Sequence, residues 1–250
     1  MRYSKLAICL SVAFVTLLVS GCSTTTDGRI KFKMETSESP AVMGIGRYQH
    51  YDKSTMRLHG SFKYGTEGTI EKNANYKDWL GNSGVVEGTF HFSNFGLTGG
   101  LEWFHKFDKA VIGFGFAFDN GVYHHVTYGF NLKDIEFGVF LGLLDQEASI
   151  DEVGSSKSSS VLIDFFGGFY LNIFIGESVF LGYCLSSYSP EITVSGSNVS
   201  NVDSPQIISN YVTLGYHINE TFAVTMGAVA TIADFVPLFS VSLGTFVYLF

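Results

Sequence analysis

The sequence predicts an all-β fold, a closed antiparallel barrel of about ten strands that crosses a membrane, with up-and-down topology. Eight to twelve strands fit. Three observations predict it. The first is alternation. In residues 111–118, Ile112, Phe114, Phe116 and Phe118 share one face, and Val111, Gly113, Gly115 and Ala117 the other. Side chains alternate across a strand, so this is an apolar face backed by a small one. The second is composition. The 250 residues are 46% hydrophobic and only 15% charged, with 28 Gly and 24 Phe. Soluble domains carry about a quarter charged residues, and no apolar run past the N-terminus is long enough for a spanning helix. The third is the sorting of connections. If the last residue lies at one end, every connection at that end is short, and the long polar loops 145–159 and 189–206 fall at the other, beside the short tips at 93–96 and 119–121. Membrane barrels have short periplasmic turns and longer outer loops, whereas a sandwich has no cause to sort them.

The chain opens with Arg2 and Lys5 before an apolar run from Leu6 to Val19. As a helix that run is about 21 Å long, short of the roughly 30 Å hydrocarbon core, so it is expected to be a secretion signal spanning residues 1–21. The exit Leu18-Val19-Ser20-Gly21-Cys22 resembles the lipobox of bacterial lipoproteins. The resemblance implies cleavage before Cys22 and acylation (palmitate and related chains) on it. Ser23 resembles the sorting position of lipoproteins sent to the outer membrane. Cys9 lies inside the leader, so only Cys22 and Cys184 remain and no disulfide framework is expected.

Residues 22–83 read as a lipid-anchored periplasmic lead. Ser23–Pro40 is a polar tether. Segments 41–50 and 55–64 could be a hairpin, or two further wall strands; their alternation looks weak and they carry Arg47, Arg57, His59 and Lys63. The barrel is placed at 84–250, with strands near 85–94, 97–107, 110–118, 121–132, 135–144, 160–173, 178–188, 207–217, 221–231 and 238–250. Its first strand would start in the periplasm, on the side expected for the lipid.

Face assignments follow from the pleat. Val126, Tyr128 and Phe130, then Phe137, Val139 and Leu141, then Val212, Leu214 and Tyr216, then Phe222, Val224 and Met226 point outward. His125, Thr127, Gly129, Glu136, Gly138, Thr213 and Thr225 point inward, where a narrow barrel has little space. The ending Phe246-Val247-Tyr248-Leu249-Phe250 resembles the C-terminal signal of bacterial outer-membrane barrels, which implies the insertion machinery as a partner through Phe246, Tyr248 and Phe250. Phe239, Val241 and Leu243 lie on the opposite phase. Either a bulge near Gly244 reconciles the two sets, or one set faces inward.

Chemistry is sparse. No phosphate loop, zinc spacing or nucleophile elbow is present, so no cofactor or metal is expected. His124 and His125 are adjacent and point to opposite faces. Net charge is -8, which gives nucleic acid no support. His91, Ser93 and Glu102 form one candidate catalytic set: two on one strand face, the third diagonal across a turn. A base, a hydroxyl and a carboxylate are what acyl transfer needs, and the pattern is similar to that of the lipid A deacylase barrels. The spacing is short, the position is early, and a lumenal face does not meet lipid. Glu87, Glu102, Lys106, His125, Glu136 and Asp164 are expected to form a lumenal polar network around Lys106, since buried charges need partners. The expected role is structural or surface interaction at the bacterial outer membrane, through loops 145–159 and 189–206. A narrow channel, an outer-membrane acyl hydrolase and a lipid-tethered soluble sandwich are the alternatives.

Overall fold

The computed structural model describes residues 29–36, 38–43, 54–78, 83–119, 121–152, 158–190, 197–198 and 205–249. The expected leader, Cys22 and Phe250 lie outside the described residues. The described strands are β1 (Arg29–Thr36), β2 (Ser54–Gly65), β3 (Gly68–Asp78), β4 (Ser83–Phe92), β5 (Phe95–Phe107), β6 (Ala110–Phe118) and β7 (Val122–Asn131). They continue with β8 (Ile135–Glu152), β9 (Ser158–Ile175), β10 (Val179–Tyr188), β11 (Ser197–Asn198), β12 (Ile207–His217), β13 (Phe222–Ala233) and β14 (Val236–Leu249).

Ten of them close a barrel. Each of β2, β5, β6, β7, β8, β9, β10, β12, β13 and β14 pairs antiparallel with the next. β14 then returns to β2, from Leu249↔Met56 to Ser240↔Gly65. Closure leaves the wall no unpaired edge, which a lipid-facing sheet requires. The four-residue-or-shorter turns near Asp108, Lys133, Gly176 and Asn219 sit at one end, the turn end. The hairpin β3–β4, the β8–β9 connection, the β10–β12 loop and the tight turn at Asp234 sit at the loop end.

The outward face is apolar all round. Phe114 (51% exposed), Val139 (56%), Leu214 (47%) and Leu243 (64%) are typical of it, with Trp103, Phe107, Tyr128 and Tyr216 among its aromatics. A soluble protein rarely exposes contiguous apolar area on this scale. The same residues are stable against hydrocarbon, so the belt marks the span.

Three expectations need correction. Residues 55–64, expected in the periplasmic lead, belong to wall strand β2, between β14 and β5. Met56, Leu58, Phe62 and Tyr64 face out, while Thr55, Arg57 and Lys63 are buried inside. The charges that made the alternation look weak are its inward half. Residues 85–94, expected as the first wall strand, fall largely in β4, which lies outside the wall on a branch of the sheet that leaves it at β8. The hairpin β3–β4 leaves and rejoins the barrel at the loop end, so inserting it keeps the wall count at ten. The expected polar loop 145–159 is largely strand, because β8 and β9 run 18 residues each and stay paired beyond the span.

This branch has the order β11-β3-β4-β1 and joins the wall at β8. β1 runs parallel to β4 and antiparallel to the far end of β8, from Ile30↔Glu152 to Met34↔Ala148. At the other edge Ser197 pairs with Asp78, and Lys72 forms an ion pair with Asp234 in the β13–β14 turn. β8 and β13 stand on opposite arcs of the ring, so the branch crosses the mouth as a lid. Met34, Ile70, Val86, Phe90 and Phe92 on its lower face join one core with Tyr123, Phe140, Leu144, Phe166 and Tyr170 of the wall. Each such buried side chain contributes about 1.5–3 kcal/mol. Its upper face is polar, with Lys31–Glu87 at 3.0 Å and Lys33–Glu35 at 3.3 Å.

The C-terminal discord resolves without a bulge. β13 and β14 pair without interruption from Phe222↔Val247 to Ala233↔Val236. Phe239, Val241 and Leu243 face out, and Tyr248 is buried inside.

Candidate lumenal site

Arg57 enters the lumen from β2 because its neighbours Met56 and Leu58 take the outward phase. It is only 2% exposed and pairs with Glu102 of β5, its register partner, at 2.8 Å from Nε and 2.6 Å from Nη2. Its guanidinium lies between the rings of Phe104 (5.0 Å) and Phe246 (4.5 Å). Glu102 also meets His59 Nδ1 at 3.3 Å and His125 Nε2 at 3.4 Å. Planar stacking and a charge-assisted hydrogen bond are what a dry cation needs.

A stretch of the chain itself fills the lumen. Glu38 accepts a hydrogen bond from Ser240 Oγ (2.7 Å) and pairs with Lys63 (3.3 Å). Ser39 N donates to Ser209 Oγ (2.9 Å), and its hydroxyl meets Ser186 Oγ at 2.6 Å. Tyr211 donates to the Ser39 carbonyl, and Arg57 Nη2 donates to the Met43 carbonyl. Val42 is fully buried, and Met43 lies over Gly182, where a Cβ would collide with its methyl. Glycine at 182 leaves the space that the end of the Met43 side chain takes. A cavity of about 110 Å³ lies beside the plug, lined by Glu38, Arg57, Lys63, Glu102, Asp119 and Tyr211 among others. That is room for a few waters only.

Among the expected network residues, His125, Glu136 and Asp164 are buried in the lumen. Tyr170 OH and Asn172 Nδ2 approach Glu136 at 3.4 and 3.5 Å. Lys106 is on the inward phase but half-buried, and Arg57 takes the centre it was expected to hold. Glu87 is not in the barrel; it pairs with Lys31 on the lid. The acyl-transfer set is not assembled either. His91 stands on the lid beside Glu67 (3.4 Å) and Glu35 (3.9 Å), Ser93 bonds the Phe95 carbonyl (3.0 Å), and Glu102 is held by Arg57. The insertion placed β4 outside the wall, so the turn at Asn94 does not fold His91 over Glu102. Residues of the plug and Arg57 are what sequence reasoning missed. The signal for Arg57 was its period-two spacing with His59, Ser61 and Lys63; Glu38–Met43 carries none. Among the described residues no group of three His, Cys, Asp or Glu is arranged to hold a metal.

Fold and site together define a transmembrane β-barrel of the outer-membrane kind: ten antiparallel strands, short turns at one end, long connections at the other, and a lumen filled from within. No family model matches the chain, and no curated protein matches it. Solved structures similar to it include the NanC porin (13% identity, TM-score 0.45, covering 76% of this chain and 98% of that one). An outer membrane channel from Pseudomonas putida F1 is 10% identical at a TM-score of 0.44, covering 84% and 100%. The P. putida toluene transporter TodX is 12% identical at 0.34, covering 78% and 71%. All three TM-scores are below 0.5, and the class rests on closure and the apolar belt alone.

Proposed function

We propose that this chain is a plugged and lidded barrel of the bacterial outer membrane that acts at the cell surface. Its turn end faces the periplasm, and its lid, the far ends of β8 and β9 and the loop 189–206 face outward, where connections carry binding. Outer-membrane lipid surrounds the belt, and the aromatic C-terminus is the segment that the insertion machinery reads. The observation that supports a structural or surface-interaction role over a narrow channel is the plug. Glu38, Ser39 and Met43 are hydrogen-bonded or ion-paired to β2, β10, β12 and β14, and the cavity beside them is only about 110 Å³.

Planar-bilayer recording tests this reading. The full chain is expected to give no conductance steps, and a variant lacking residues 29–43 is expected to give them. Steps from the full chain would overturn it in favour of the channel.

A further inference from the structure

The plug has a direction. β2 runs from Ser54 at the turn end to Gly65 at the loop end, since Gly65 pairs with Ser240 and Met56 with the chain's closing strand at Leu249. Glu38 touches Lys63 near the top of β2, and Met43 touches Arg57 six positions lower. β10 gives the same ladder independently. It rises from Val179 at the turn end to Tyr188. Ser39 meets Ser186, the Val42 backbone meets Cys184, and Met43 lies over Gly182. Both ladders descend as residue number rises. Above them, β1 pairs with Ala148–Glu152 of β8, beyond the span at the loop end.

We infer that the chain is threaded through its own barrel: β1 lies on the cell-surface side, Glu38–Met43 passes down the lumen, and the wall starts at the opposite end, at Ser54. This rests on the outer-membrane reading above and reverses the expectation that the N-terminal region stays in the periplasm. The plug cannot leave toward the periplasm without drawing β1 away from β4 and β8 and through the filled lumen.

Single-cysteine reporters in the full-length chain test this. Lys33→Cys sits on the exposed face of the lid, Phe235→Cys in the loop-end turn, and Glu177→Cys in a turn-end connection. Cys184 is buried and stays as it is. A membrane-impermeant maleimide is applied to intact and to permeabilised cells. Threading predicts that Lys33→Cys and Phe235→Cys label in intact cells, and that Glu177→Cys labels only after permeabilisation. Lys33→Cys labelling together with Glu177→Cys would overturn it, and Glu35→Cys is a second reporter if the first fails to fold. Failure of the outer-membrane reading itself shows separately, as Phe235→Cys and Glu177→Cys labelling alike, and removes the surface placement too.

Discussion

Arg57 and Glu102 face one another across the β2–β5 pairing, register partners whose side chains meet in the lumen at 2.6 and 2.8 Å. Both are about 2% exposed. Removing one partner of such a pair leaves a buried charge uncompensated and costs about 3–5 kcal/mol, while replacing both with apolar residues of similar size can be nearly neutral. Arg57→Met alone and Glu102→Leu alone are expected to destabilise the barrel by about that much. The double variant is expected to recover most of the loss. Urea unfolding of protein folded into lipid vesicles measures all three, and strictly additive losses would contradict the pairing.

The plug predicts a cross-link. Ser39 and Ser186 hydroxyls lie 2.6 Å apart between lumen and wall. In a Cys184→Ser background, Ser39→Cys with Ser186→Cys is expected to form an intramolecular disulfide in folded protein, and neither single variant is. The readout is non-reducing electrophoresis after thiol capping. Two free thiols in the folded double variant would show that residues 38–43 lie elsewhere.

The belt predicts a depth-dependent penalty. Val139, the fifth residue of β8, faces out between Tyr128 and Phe169 on the flanking strands, within the apolar belt. An arginine on the lipid face near the midplane of a barrel costs about 2–4 kcal/mol, falling toward the interfaces. Val139→Arg is expected to lower vesicle-folded stability by that amount, and Phe107→Arg, at the turn-end rim, by much less. Equal, small effects at both positions would contradict a hydrocarbon-facing belt.

Most of the barrel could be read from residues alone. From Phe95 onward, nine wall strands appear where alternation put them, because one lipid face and one lumenal face impose a strict period of two. The lumen was read less well. His125, Glu136 and Asp164 announce themselves as polar residues on an inward phase, but Arg57 sits among His59 and Lys63, and a strand whose inward half is charged reads as a solvated hairpin. Which strands neighbour which is a tertiary property. β4 alternates as well as any wall strand, yet its apolar half meets the plug and the lumenal core below the lid instead of lipid. The plug leaves no local trace, since Glu38–Met43 is held by residues as far as 202 positions away.

The most direct test of a closed membrane barrel is gel mobility of unheated against boiled protein, for the full chain and for a variant in which residues 67–93 are replaced by a short turn. Closed barrels resist detergent unfolding. Because β2 closes the wall and β3–β4 do not, both proteins are expected to show a distinct unheated band that collapses to one position on boiling. Identical mobility before and after boiling in the full chain would contradict closure, and loss of the unheated band in the shortened chain alone would return the hairpin to the wall.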